Sequence, residues 1–427
     1  MNRTRDKSAL HTAPKILPEK DPNEITDSPT HIATQVSSVI SNHPNYTDKI
    51  LHTQGRKSPA SGGWCEMNCP YNKQAMAQEL PFYISKNPPP DFVLPSPEMR
   101  CKVYHTVNVD VGGEISQQLQ SEIMDFIRVN DCTDSGNITE LSQETFDRLL
   151  SAPCFIGVIL LKNRIVGTIF SIVLRVRTDC LPDDFLTSYT TFLCVARDYR
   201  KQGLAMALIR AVVKEGLKHY GIIHGYYMTS DPHHPVNNPI VSWYRPINLK
   251  KSLSAGFTLE SFTKRGDRRA STALSRQKIA YHVSKPINVP RKVDKSDYLL
   301  IQPLLRKGSI YLDPTLDEFG SICQCFDVYI VDDLGLFMLF PMSSVISTSG
   351  KQVRNAQLAL MIGDLMPHAL WTARDNGYDL LYGWCASDIS KEKVLGIRGL
   401  ITTSKTCLEF YNTRSSIPNS HFMLPLF

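Results

Sequence analysis

The sequence predicts a mixed α/β (α+β) protein of two fused lobes in a pseudo-twofold arrangement, and three observations carry that expectation. The chain has 427 residues, 42% hydrophobic and 21% charged, beyond the roughly 250 to 300 residues at which a single core stops growing. Its apolar residues switch between the continuous or alternating runs of strands and the 3.6-residue spacing of helices. The order of those segments in the first half returns, more weakly, in the second.

Taken in order, residues 1–60 are rich in Ser, Thr, Pro, Asn, His and charge, with little periodic apolar signal, and read as a disordered leader. Residues 61–98 are Pro-rich and aromatic, including Pro81-Phe82-Tyr83 and Pro88-Pro89-Pro90, and read as an extended arm lying over a domain. Ile115 to Arg128 has helical spacing. Cys154 to Lys162 and Ile165 to Val176 form a hairpin turning at Lys162-Asn163-Arg164. A central strand ends near Val195. Leu204, Ala207, Leu208, Ala211 and Val212 then mark one helix face, with Arg210, Lys214 and Lys218 on the other side. Ile222 to Met228 is a further strand. In the second half, Val328 to Val331 and Leu334 to Phe340 flank Asp332-Asp333 as a hairpin, and Leu365 to Asn376 is a helix ended by Gly377-Tyr378-Asp379 before a strand at Leu380. A linker from about Lys264 to Lys295 joins the halves.

Composition narrows the function classes. A net charge of +6, spread along the chain, lacks the basic stripe of an obligate nucleic-acid binder and suits an anionic cofactor better. The eleven cysteines are dispersed, without paired spacing for a structural zinc, and read as reduced thiols of a cytoplasmic protein. Beside Asp231, the adjacent His233 and His234 on a Pro-flanked loop are expected to point apart and supply no third ligand, so no metal is expected. No apolar run reaches the roughly 18 residues of a membrane span.

The chemistry-bearing segment is Phe192-Leu193-Cys194-Val195 followed by Arg200-Lys201-Gln202-Gly203-Leu204-Ala205. It is an apolar strand, a basic turn and a helix start, a geometry that offers backbone N–H groups to a phosphate. Helix, hairpin, strand, phosphate turn, helix and strand is the element order of the acetyltransferase-like (GNAT-type) acyl-CoA fold. Further on lies Trp243-Tyr244-Arg245-Pro246-Ile247-Asn248-Leu249-Lys250-Lys251. Together these runs resemble the glycylpeptide N-tetradecanoyltransferase, or N-myristoyltransferase, family over most of the chain from Trp64, as a divergent member. Leu94-Pro95, Leu365-Met366 and Tyr411-Asn412 add to the likeness.

The resemblance implies two GNAT-like lobes, residues 99–263 binding myristoyl-CoA and residues 264–427 binding an N-terminal glycine peptide. It further implies a monomer without metal. The backbone N–H groups of Phe192 and Leu193 would form the oxyanion hole. Trp64, Cys194, Val195 and the Arg200 to Ala205 loop would line the acyl-CoA, with Arg200 and Lys201 supplying charge and Gly203 permitting close backbone approach. Val129, Asp131, Thr191, Thr229, Tyr244 and Ser404 would face the peptide. The α-carboxylate of Phe427, carried on the apolar tail Phe422 to Phe427, would take the proton of the glycine amine.

The chain departs from the family pattern at Thr191, Tyr244, the stretch Tyr227 to Ser230, the sparser carboxylates of Val129 to Asp134, and Thr402-Thr403-Ser404. These departures keep open a catalytically degenerate homologue that binds acyl-CoA or lipidated peptide, and Gly203, which stands where the family has a basic residue, keeps open an acetyl-CoA-dependent N-acetyltransferase.

Overall fold

Alternating apolar runs become strands and 3.6-residue spacing becomes helix in the computed structural model of the protein. It describes residues 92–106, 115–130, 138–179, 183–222, 224–229, 238–255, 282–346, 352–390, 393–394, 397, 401–411 and 422–426. The first half runs β1 (Met99–His105), α1 (Gln117–Asn130), β2 (Ile138–Glu140), α2 (Gln143–Ser151), β3 (Cys154–Leu161), β4 (Arg164–Thr178), β5 (Phe185–Val195), α3 (Leu204–Tyr220), β6 (His224–Thr229), β7 (Asn238–Pro246) and α4 (Leu249–Ser254). The second half runs β8 (Arg291–Lys292), α5 (Tyr298–Leu305), β9 (Ile310–Leu312), α6 (Leu316–Cys325), β10 (Asp327–Val331), β11 (Gly335–Ile346), β12 (Gln352–Ile362), α7 (Met366–Asp375), β13 (Leu380–Trp384), β14 (Ile401–Tyr411) and β15 (Phe422–Met423).

One sheet carries both halves, in the order β1-β3-β4-β5-β6-β14-β7-β13-β12-β11-β10-β8. Counted inward from either edge, the pattern is the same. An edge strand meets an antiparallel hairpin, then a strand paired in parallel with its successor, β5 with β6 and β12 with β13. Each of those successors then pairs with a strand from the opposite half, β6 with β14 and β13 with β7, and β7 and β14 pair antiparallel at the centre. This exchange is the pseudo-twofold arrangement of two fused GNAT-type halves.

Period-2 alternation fixes which side chains face which layer. On β4, Phe170, Ile172, Leu174 and Val176 face the core shared with α1, α2, α5 and α6. Ile169 and Val173 face α3 on the other side. On β11, Leu336, Met338 and Phe340 repeat the first pattern and Phe337 and Leu339 meet α7. Local signals end the elements. Lys162 (φ 48°) and Asn163 (φ 67°) form the turn between β3 and β4 in the left-handed conformation that two-residue hairpins require. Ser142 caps α2, and Thr315 and Glu318 form a reciprocal capping box on α6. Gly221, at φ 64°, closes α3.

Several expectations shift. Arg210, expected on the solvent side of α3, is buried, with its guanidinium 5.5 Å from the centre of the Phe92 ring. The residues just before β1 cover that face of the helix, so the arginine stem packs where periodicity alone predicts water. The strand expected from Ile222 starts at His224, because Ile222 drops into the α3 core after the Gly221 turn. The linker is shorter than Lys264 to Lys295: Val283 is buried against α7 and β8 pairs with β10. The leader 1–60, Trp64 and the Pro-rich part of the arm lie outside the described residues. No helix among the described residues is long and apolar enough to cross a membrane.

Candidate functional site

The site begins with a defect in the β4–β5 ladder. Thr168 pairs with Cys194 and Phe170 with Thr191, which leaves Phe192 and Leu193 opposite the single Ile169. Phe192 adopts φ 47°, a left-handed conformation that costs a non-glycine residue roughly 1 to 2 kcal/mol. The Phe192 ring stacks edge-on against Phe170 at 5.7 Å, and Thr168 Oγ1 donates to Phe192 O at 3.5 Å. Parallel pairing with β6 runs from Thr187 to Thr190 and ends there. A β-bulge at this point re-aims the backbone of Phe192 and Leu193 where β5 and β6 part. Leu193 is exposed, Cys194 is buried, and Thr191 and Val195 are half-buried.

Next comes the phosphate-type turn. Arg200 donates from Nε to Val195 O and from Nη2 to Asn130 O, both at 3.0 Å. It is therefore a strut tying the end of β5 to the end of α1; Arg200 and Lys201 are both exposed. Gln202 Nε2 donates to Asp198 O. Gly203 stands at the N-cap of the 17-residue α3 at φ 81° and, being glycine, offers no side chain to the first N–H groups, a helix N-terminus of the kind suited to an anion. The space beside Gly203 is already filled: a Cβ there would lie 2.5 Å from Phe92 Cζ. This glycine thus serves a positive φ and the packing of Phe92, in addition to any close approach of a ligand. Leu204 is buried and Ala205 half-buried.

The tail is the part of the site the sequence locates least. Phe422, Met423, Leu424 and Leu426 are buried in the same core as Phe192 and Phe170. Phe422 and Met423 pair in parallel with β9. The Tyr226 ring touches both Tyr189 of β5 (4.9 Å) and Phe422 (5.3 Å), and its hydroxyl donates to Pro425 O at 3.1 Å. Complete burial pushes the Tyr226 hydroxyl pKa well up, so it remains a donor. Leu426 N donates to Ala359 O at 2.9 Å and Gln357 Nε2 donates to Leu426 O at 2.7 Å. Ala359 is the extra residue of a second bulge, since Met338 pairs with Leu360 and Leu339 with Leu358. That bulge is the counterpart, across the pseudo-twofold, of the one at Phe192 and Leu193. In one half it receives the tail; in the other it stands beside the α3 N-terminus. No spacing in the sequence marks Tyr226, Gln357 or Ala359, because the contacts join distant elements. Phe427 lies outside the described residues.

The Trp243 to Lys251 run forms β7, a turn and α4. Trp243 is buried against Gly383, whose missing Cβ would fall 2.8 Å from its indole. Asn248 caps α4 by accepting from Lys251 N. Buried Asp379 accepts from Lys251 Nζ (2.6 Å), Asn248 Nδ2 (3.1 Å) and Arg354 N (3.0 Å). The run is thus a corner anchored to the strand after α7. Tyr244 packs beside Tyr382. Ser404 lies in a bulge of β14 between Thr402 and Lys405, and Thr229 pairs with Cys407. Val129 is exposed at the end of α1, and Asp131 lies outside the described residues.

This architecture defines a class, the GNAT-type acyl-CoA fold, and the Acetyltransferase (GNAT) family matches residues 124–245. More particularly, the fold is similar to that of N-myristoyltransferase from Saccharomyces cerevisiae. A structure of that protein with bound myristoyl-CoA superposes with TM-score 0.64 at 14% identity, covering 83% of this chain and 93% of the yeast chain. One with myristoyl-CoA and inhibitors superposes with TM-score 0.66 at 14% identity, covering 92% and 97%. No curated protein sequence matches the chain. At these identities the likeness establishes the fold, and the chain resembles the N-myristoyltransferases as a divergent relative.

Proposed function

We propose that this protein is an acyl-CoA-dependent N-acyltransferase that moves myristate from myristoyl-CoA to the N-terminal glycine amine of proteins. The observation that carries the reading is the bulge at Phe192 and Leu193, set between the N-terminus of α3 and the buried tail. Acyl transfer from a thioester to an amine passes through a tetrahedral oxyanion, and fixed donors placed where that charge develops contribute about 3 kcal/mol each. The Phe192 and Leu193 N–H groups take that role. The α3 terminus and Lys201 hold the phosphates, and Cys194 and Val195 run beside the pantetheine. Trp64 completes the acyl-CoA side; Val129, Asp131, Thr191, Thr229, Tyr244 and Ser404 form the peptide side.

An α-amino group has a pKa of about 7.7 to 8.0, so the glycine amine must lose a proton before attack. The α-carboxylate of Phe427 is the proposed base. Support comes from the preceding residues, whose backbone is held by Tyr226, Gln357 and Ala359 in the core that contains Phe192. The lobes 99–263 and 264–427 divide the work between donor and peptide.

Labelled myristoyl-CoA offered with a Gly-initiated peptide and its Ala-initiated twin tests the reading, with acetyl-CoA as competing donor. The reading expects labelled Gly peptide only. Transfer from acetyl-CoA in preference would identify an N-acetyltransferase. Tight myristoyl-CoA binding with no product would identify a binding protein.

A further inference from the structure

We propose that His105, Glu215 and His219 form a binding site for one zinc-class divalent cation, at the end of α3 opposite the phosphate-type turn and independent of the acyltransferase reading. β1 supplies His105 from its last position, and α3 supplies Glu215 and His219 four residues apart on one face. Both imidazole Nε2 atoms converge on a single oxygen, Glu215 Oε2, at 3.6 Å from His105 and 3.0 Å from His219. One donor atom from each of the three lies within 4.8 Å of the others. Tetrahedral zinc, with bonds of about 2.0 to 2.2 Å to nitrogen and oxygen, spaces its ligand atoms roughly 3.3 Å apart. Small side-chain rotations close that gap.

The surroundings favour a cation ligand over a purely structural hydrogen bond. His105 is 2% exposed, walled edge-on by Phe155 and by His219 at 4.8 Å each, and its Nδ1 has no hydrogen-bond partner. Glu215 contributes a negative charge and the last turn of α3 the negative end of the helix dipole. Lys218, the cation that faces His105, is exposed and free to turn outward. The Glu215 and His219 side chains keep 28% and 14% exposure, which leaves a fourth position open to water. Two imidazoles and one carboxylate suit zinc, cobalt, nickel or copper, and not the all-oxygen preference of calcium or magnesium. The bound ion clamps the edge strand β1 to the end of α3. Sequence spacing singles out the adjacent His233 and His234, since His105 joins the α3 pair only in the fold.

The untagged full chain, stripped with a chelator, is titrated with zinc(II) by calorimetry and with cobalt(II) by visible absorption, and melted with and without zinc. One equivalent of zinc should bind and raise Tm, and cobalt should show the intense bands of four-coordinate geometry. His219→Ala and Glu215→Gln should each weaken binding at least about 100-fold, the upper range for residues that merely orient ligands. His219 is partly exposed and spares the core, and circular dichroism checks each variant's fold. A double variant, His233→Ala with His234→Ala, should bind as the parent does. Absence of stoichiometric zinc binding, binding that survives His219→Ala, or loss in the double variant overturns the site.

Discussion

At the residue scale, Gly203 joins conformation to packing. Its φ of 81° and its contact with Phe92 both exclude a side chain. Gly203→Ala should therefore destabilise the fold by about 1 to 3 kcal/mol, measured by denaturant unfolding. Adding Phe92→Ala should recover the steric part and leave the conformational part. His368 on α7 provides a pH signature. Burial lowers its pKa below the ordinary 6.5, so on acidification the unfolded chain takes up this proton first. Its contribution to stability is whole above about pH 6.5 and is lost as pH falls from there through the lowered folded-state value. His368→Gln should flatten the acid slope of Tm, and an unchanged slope would remove His368 from the account.

Elements carry the second group of predictions. Asp379 gathers three donors beneath the Trp243 to Lys251 corner. Asp379→Ala leaves the part-buried Arg354 N–H without its acceptor, while the half-exposed Lys251 returns to water, so a loss of about 1 to 3 kcal/mol in unfolding free energy is expected. Leu424 in the tail is 1% exposed, and Leu424→Ala should cost about 2 to 5 kcal/mol. Gln357→Ala removes one tail bond, about 1 kcal/mol of stability, and should lower transfer by more than that implies if the tail positions a reacting group.

Legibility followed locality. The β3–β4 hairpin and α3 were readable because their signals sit within a few residues: a Lys162-Asn163-Arg164 turn and an i, i+3, i+4 stripe. β7 and β14 were not, because Pro239, Pro246 and the polar Thr402 to Lys405 stretch disguise strands that are held by exchange between halves. Arg210 misled for the same reason, its cover being a segment from elsewhere in the chain. The turn after β5 was legible as a motif, yet the diversion of Arg200 to two backbone carbonyls was not, since one of them belongs to α1.

At the scale of the whole molecule, the two halves share one sheet whose central strands are exchanged. Neither half can complete its sheet alone. Unfolding should therefore be a single transition, with tryptophan fluorescence and far-ultraviolet circular dichroism coincident. Separated probes would mean that the halves fold independently. The same exchange places the β5 bulge and the buried tail in one core, which is the basis of the proposed reaction. The most direct test compares single-turnover myristate transfer and myristoyl-CoA affinity in the full chain and in a chain lacking Leu426 and Phe427. The account predicts transfer to a Gly-initiated peptide by the full chain, a loss of at least about 100-fold on truncation, and retained affinity for myristoyl-CoA. Equal transfer by both chains, or binding without transfer by the full chain, would contradict it.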